Sequence, residues 1–327
     1  MTTTAQGEAG VLRKPALQDY LAIMRLDHVT KHVFVVPGIV LAYLLRHHFV
    51  TLTPWPFVAG AIVAVCIASA NYVINEFLDR EFDALHPTKS LRTAVKVELS
   101  GVVVWLLWLA LVVIGFVVAW TASVTMLVIA VGFAAQGIFY NVKPLRTKDH
   151  AYLDVLSESV NNPFRLMIGW AMVDPSTLPP ASILLGYWLG GAFLMGAKRL
   201  SEYREIVANH GRDLLVRYRA SFGGYDEYSL TASCLVYAAL SGMALAIFMV
   251  KYRIEYIITL VPIALLFGKY MSLAMRPAST AQKPEKLFNE HGLMALVLIV
   301  VVTFVVATVV NMPFLQTLTA QHFISLQ

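Results

Sequence analysis

Charge is scarce in this sequence. Aspartate, glutamate, lysine and arginine make up only 14% of its 327 residues, where a soluble domain carries about 25%. So few charges cannot cover a water-facing surface, which excludes one or two soluble domains of this length. Cysteine is rarer still. Cys66 and Cys234 both lie inside apolar runs, which excludes a disulfide-stapled secreted scaffold. Low-complexity tracts and internal repeats are missing, so a single domain is expected. The first 24 residues have no apolar core and do not read as a cleaved signal peptide. They form a polar cytoplasmic segment ahead of a domain spanning 25–327.

Apolar length is what the chain has. Hydrophobic residues account for 58% and the mean hydropathy is +0.68. A bilayer core about 30 Å thick takes roughly 20 apolar residues to cross as a helix. Nine runs are candidates, at about 33–50, 55–78, 101–120, 122–140, 152–173, 183–199, 229–250, 254–273 and 291–312. The expected fold is an all-α integral membrane protein, a bundle of about nine transmembrane helices. The net charge of +5 is modest, but its distribution is lopsided. Of the 25 basic residues, only Arg46, Lys251 and Arg253 fall on the side away from the N-terminus, and Arg165 lies inside a span. Positive loops face the cytoplasm, so the N-terminus is cytoplasmic.

The strongest chemical signal closes the second span, in NEFLDREFD. Asn75, Asp79 and Asp83 follow at steps of four, which keeps them on one helical stripe rising about 6 Å per step. Two carboxylates and an amide on one stripe suit magnesium, which takes oxygen ligands and leaves part of its shell to phosphates and water. HPTKSLR follows at once, and its Lys89 and Arg92 can neutralise the excess charge of a metal–diphosphate complex. His86 reads as a turn-stabilising residue.

Two further clusters accompany it. Asp154, Glu158, Asn161 and Arg165 fall at helical spacing on a single expected face, with Tyr140 and Lys148 at its cytoplasmic mouth. Such groups at membrane depth are unfavourable unless they pair or line a wet cavity, so a cavity wall and a structural ion pair between helices both fit. AKRLSEYR places Lys198 beside Arg199 and one turn from Glu202. Lys198, Arg199 and Lys31 also fit as ordinary positive flanks of spans. Pro284, Glu285, Asn289 and Glu290 are either supporting groups or loop. The segment 205–225 reads as a short amphipathic helix with Leu214, Leu215 and Tyr218 facing lipid or protein, or as a basic loop.

Together these clusters resemble the UbiA superfamily of intramembrane prenyltransferases. The likeness runs from about Arg25 to the last span and centres on the Asn75, Asp79 and Asp83 pattern. It implies a helical cavity that holds magnesium and a diphosphate at its cytoplasmic end, with lipid entering from the side. HPTK, the Lys148 to Asp154 to Arg165 spacing and AKRxxE are similar to the decaprenyl-phosphate phosphoribosyltransferase branch. That branch moves a phosphoribosyl group from phosphoribosyl pyrophosphate to a polyprenyl phosphate. Aromatic prenyltransferases of the superfamily usually carry a second aspartate-rich motif where this chain has Lys198, Arg199 and Glu202. Glu76 stands where the superfamily usually has Asp.

The resemblance implies metal ligation by Asn75, Asp79 and Asp83, and catalysis by Asp79, Asp83, Lys198 and Arg199. Substrate binding is implied for Lys31, Lys89, Arg92, Tyr140, Lys148, Asp154, Glu158, Asn161, Arg165 and Glu202. Magnesium is the implied cofactor. Phosphoribosyl pyrophosphate, polyprenyl phosphate and membrane lipid are the implied partners, with no nucleic acid. The implied place is a bacterial-type cytoplasmic (inner) membrane, with the active site on the cytoplasmic side. Transfer of a prenyl group from prenyl diphosphate to an aromatic or other lipophilic acceptor is the alternative. A transporter fits less well, because the polar groups gather at one membrane face.

Overall fold

The computed structural model describes residues 13–46, 52–277, 279–280 and 287–319, with the side chains of 28–31, 318 and 319 outside that description. Among the described residues the chain is helical, and its one β-type pairing is the isolated bridge between Arg13 and Val97. A short α1 (Leu17–Ile23) leads through a 3₁₀ segment, Leu26–Val35, into α2 (Val36–Arg46). Long α3 (Pro54–Leu78) continues into α4 (Arg80–Asp83), followed by α5 (Thr93–Lys96). Next come α6 (Gly101–Ala122), α7 (Val124–Asn141), α8 (Leu153–Ser159), α9 (Asn161–Val173) and α10 (Ala181–His210). The chain ends through α11 (Arg212–Tyr218), α12 (Glu227–Tyr252), α13 (Leu260–Ala274), α14 (His291–Val309) and α15 (Pro313–Thr319).

Local sequence sets several of these boundaries. Pro54 opens α3, where its missing N–H leaves no hydrogen bond unmade. Ser123 caps α7 by accepting from the Met126 amide, and Asp226 caps α12 through Ser229. Gly211 ends α10 at φ 84°, a conformation that side chains with a Cβ rarely adopt.

Among the described residues, six helices are long and apolar enough to cross a membrane: Pro54–Leu78, Gly101–Ala122, Val124–Asn141, Glu227–Tyr252, Ile254–Ala274 and His291–Val309. The three other expected spans take different forms. The first is divided between the 3₁₀ segment and the 11-residue α2. The fifth is broken at Val160 into α8 and α9, because Pro163 in the first turn of α9 supplies no amide to continue the upstream helix. The sixth lies within α10, whose 30 residues run on into a charged end.

Side chains are arranged for a lipid surround. Val102, Leu106 and Val117 on α6, and Leu298, Val301 and Val309 on α14, are exposed. Inside, Val63, Ile67, Met126 and Phe133 join α3 to α7, while Phe193, Tyr237 and Leu273 join α10, α12 and α13. Lipid tails are as apolar as leucine, so such helices associate through close packing and small residues. The contact of α2 with α9 illustrates this. A Cβ on Gly38 would sit 2.0 Å from the Leu166 carbonyl oxygen, and one on Gly169 would sit 2.1 Å from the Val35 oxygen.

The antiparallel helices define two ends. At one end, Arg46 donates to Asp174 at 2.8 Å, Thr125 to the Pro175 carbonyl at 2.6 Å and Trp55 to the Thr121 carbonyl at 3.4 Å. The other end collects the last turns of α3, α7 and α10 with their loops. There the segment 205–225 packs on protein: α10 runs to His210, and α11 buries Leu215 and Tyr218 against Leu200, Tyr203, Ile206 and Phe222. Leu214 is partly buried against the same cluster.

Candidate active site

The acidic stripe survives the junction of α3 and α4. The Asp79 amide donates to the Asn75 carbonyl at 3.0 Å and the Asp83 amide to the Asp79 carbonyl at 2.7 Å, so the helical register runs through. Asp79 and Asp83 therefore open into one cleft, with Phe82, Lys89, Arg146, Lys148, Asp149, Tyr218, Arg219 and Ala220 completing its wall.

Each carboxylate of the stripe meets cations. Lys148 Nζ lies 2.6 Å from Asp79 Oδ1, and an Arg146 Nη lies 2.9 Å from the same oxygen. Lys148 also donates to Asn141 Oδ1 at 2.8 Å, and Asn75 donates to that oxygen at 2.6 Å. Arg92 bridges Asp83 at 2.8 Å and Glu76 at 3.1 Å, while Arg25 reaches Glu76 at 3.0 Å. Burial raises the Asp79 carboxyl, but Lys148 and Arg146 outweigh it and hold it below the usual carboxylate range. Burial lowers Lys148 to about 8, against the pull of Asp79.

The neighbouring wall is a second ion-pair network. Arg199 is buried and donates to Asp154 at 3.1 Å, Glu158 at 2.9 Å and Glu202 at 3.4 Å. Asp154 also accepts from Tyr225 at 2.7 Å and Ser221 at 3.1 Å. Tyr140 donates to Glu158 at 2.8 Å. Glu202 gathers Tyr218 at 3.0 Å, His86 at 3.3 Å and Lys89 at 3.4 Å, so HPTK is tied to the end of α10. Lys198, half-buried, adds its positive field at Glu158.

Asp154 and Glu158 on α8 reach Arg199, while Arg165 on α9 lies against Phe133, 5.5 Å from the ring centroid, near Tyr72 and Tyr187 and within the field of Glu158. Arg165 Nε and Asn161 Oδ1 are buried without a hydrogen-bond partner. The Lys31 side chain, Pro284 and Glu285 lie outside the described residues. Asn289 is exposed, and Glu290 accepts from Thr280 at 3.1 Å rather than lining the cleft. Arg146, Tyr218 and Arg219 line the cleft although the sequence pattern did not single them out for it. A basic residue in KPLRTK and another in RYRAS were the available signals, but their reach depends on how the loops fold.

Among the described residues, no group of three or more His, Cys, Asp or Glu is placed to hold a metal. Asp79 and Asp83 nevertheless fit magnesium, which commonly takes one or two carboxylates and completes its shell with substrate phosphate and water. The donor set suits an ion that arrives with a phosphorylated ligand, not a cage made of protein alone.

A lipid-facing helical bundle with carboxylates and cations gathered in a cleft at one end defines an integral membrane protein with a polar site for an anionic ligand. A model of the UbiA prenyltransferase family matches residues 34–299, and the chain belongs to that family. This makes it an intramembrane transferase of the UbiA type. The nodulation protein NoeC of Azorhizobium caulinodans is 28% identical over 194 residues, a match spanning 58% of each chain. The chain therefore matches less than two thirds of that protein's length. Among solved structures, a UbiA homologue from Archaeoglobus fulgidus bound to GPP and Mg2+ superposes with a TM-score of 0.66 at 18% identity, covering 89% of this chain and 100% of that one. A digeranylgeranylglyceryl phosphate synthase gives 0.61 at 16% identity, covering 90% and 98%. These two likenesses show a shared fold.

Proposed function

We propose that the chain transfers a phosphoribosyl group from phosphoribosyl pyrophosphate to a polyprenyl phosphate. The products are polyprenyl-phosphoryl-5-phosphoribose and pyrophosphate. The observation that carries this reading is the wall beside the Asp79 and Asp83 pair. It offers Lys89, Arg146, Lys148 and Arg219, and the α10 carboxylate nearby, Glu202, is already engaged by Lys89, His86, Tyr218 and Arg199. One acidic stripe and a broad cationic wall suit a donor with phosphate at both ends better than a second metal.

In this reading Asp79 and Asp83, with Asn75 assisting, hold magnesium, which when bound neutralises charge on the departing pyrophosphate. Lys89, Arg92 and Lys148 spread the remaining phosphate charge, exchanging their present carboxylate partners for phosphate oxygens. As the anomeric bond to pyrophosphate breaks, fixed cations stabilise the leaving group without having to reorganise. The acceptor phosphate is already anionic at neutral pH, so no strong general base is needed. Arg199 is held by Asp154, Glu158 and Glu202 and supports the wall, and Arg165 lies deeper, in the part of the bundle a lipid acceptor would reach. In this reading the basic loops at the site end are cytoplasmic, which supports a reaction on the cytoplasmic face of a bacterial-type inner membrane.

Prenyl transfer is the second reading, favoured by the Archaeoglobus fulgidus relatives bound to DMAPP or GPP with Mg2+. Purified protein is incubated with polyprenyl phosphate and labelled phosphoribosyl pyrophosphate, and separately with labelled prenyl diphosphate and a lipophilic aromatic acceptor. Label entering the lipid from phosphoribosyl pyrophosphate supports the proposal. Label entering product only from prenyl diphosphate overturns it.

A further inference from the structure

Arg219 sits between α11 and the 3₁₀ turn Ala220–Gly224, in extended backbone, and lines the cleft with Asp79, Asp83 and Lys148. Its position is fixed by its neighbours: Tyr218, Ser221 and Phe222 are all buried. One guanidinium nitrogen, Nη1, is buried and makes no hydrogen bond. Nη1 forms a long ion pair with Asp154 Oδ2, at 3.9 Å. That carboxylate is already occupied by Arg199, Ser221 and Tyr225.

The other cleft charges are matched. Asp79 is paired with Lys148 and Arg146, Asp83 with Arg92, and Lys89 with Glu202. Among the described residues lining the cleft, Arg219 thus retains a buried N–H without a hydrogen-bond acceptor, with only a long ion pair to a shared carboxylate, beside three other cations. A buried charged donor left unmade is unfavourable, and the arrangement is complete once an anion enters. The planar fork of arginine matches phosphate oxygens two at a time.

We infer that Arg219 anchors a phosphate monoester in the cleft, a group separate from the pyrophosphate assigned to Asp79 and Asp83. The inference rests on the proposed function for its choice of ligands. The monoester belongs either to the ribose 5-position of the donor or to the prenyl phosphate acceptor.

The test uses the full chain in lipid nanodiscs with magnesium. Equilibrium binding of phosphoribosyl pyrophosphate, farnesyl phosphate and inorganic pyrophosphate is measured for wild type, Arg219→Ala, Arg219→Lys and the exposed neighbour Arg217→Ala. Thermal unfolding shows which variants are folded, and Arg219→Lys carries the test if Arg219→Ala does not fold. The expected result is a loss of roughly tenfold or more for one monoester ligand, with pyrophosphate within about twofold and Arg217→Ala unchanged. Loss confined to phosphoribosyl pyrophosphate assigns the 5-phosphate, and loss confined to farnesyl phosphate assigns the acceptor. Unchanged binding of both monoesters, or an equal loss for pyrophosphate, overturns the inference. If wild type binds farnesyl phosphate but not phosphoribosyl pyrophosphate, the proposed function fails while the farnesyl phosphate series still decides Arg219. Binding of neither overturns both.

Discussion

Lys148 and Asp79 meet at 2.6 Å, and the same lysine reaches Asn141 at 2.8 Å. Through Asn141 the pair is joined to Asn75, so the residue types that begin and continue the acidic stripe share one lysine from a different loop. With Arg146 also on Asp79, the carboxylate is compensated twice. Under the proposed function, Asp79 would exchange these cations for a metal, and Lys148 and Arg146 would be released to a phosphate ligand.

Asp79→Asn and Asp83→Asn are expected to lower transfer by about 10²–10³-fold, the scale seen when one group stabilising a transition state is removed. Both variants should insert and purify, because an amide fills the same space. Product formation from labelled phosphoribosyl pyrophosphate measures the loss, and chelation of magnesium should reproduce it in wild type and be reversed by adding the metal back.

Lys89 gives a pH signature. Burial, partly offset by Glu202, lowers its ammonium below the ordinary value of 10.5. The unfolded chain then binds more protons between the folded value and 10.5, so stability rises with pH through that window. Activity moves the other way, since the charge needed for phosphate is lost as pH passes the folded value. The kcat/KM for the donor should show an alkaline limb below the usual lysine range, and Lys89→Arg should remove it. A limb that stays in place in the arginine variant would exclude Lys89 as its source.

Removing the guanidinium of Arg199 leaves Asp154, Glu158 and Glu202 without a common counter-ion. Breaking a buried pair from one side commonly destabilises by about 3–5 kcal/mol. Arg199→Met should lower the thermal unfolding midpoint markedly in detergent, with Arg199→Lys falling between it and wild type. An unchanged midpoint in the methionine variant would show that the three carboxylates do not depend on it.

Gly169→Ala should separate α2 from α9. The new methyl group meets backbone oxygen at 2.1 Å, and backbone cannot step aside as a flexible side chain does. Overpacking of this kind commonly destabilises by about 1–3 kcal/mol. Gly242, with nothing within 4 Å of the same position, is the control whose alanine variant should fold like wild type. Yield of monodisperse protein and the unfolding midpoint compare the two.

How far the sequence could be read depended on range. Asn75, Asp79 and Asp83 were legible because their alignment needs only helical periodicity, which the structure carries through the α3–α4 junction. Lys148 was legible as a basic residue at a cavity mouth, but its partner was not, since that depends on how the loop between α7 and α8 folds back onto the end of α3. For Arg199 the pattern KRLSE cannot reveal the three carboxylates that converge on it from α8 and α10. The break at Val160 had a local sign in NNP, where proline forbids the helix to run on unchanged. Periodicity alone does not show that interruption, nor that Arg165 packs against Phe133.

The hydrogen bonds joining Arg46 to Asp174, Thr125 to Pro175 and Trp55 to Thr121 lace the far rim of the bundle. None of them involves a residue that lines the cleft. Ligand entering the cleft therefore meets none of the contacts that tie this far rim together, so a substitution that breaks Arg46 from Asp174 should cost stability without touching the groups that face the ligand.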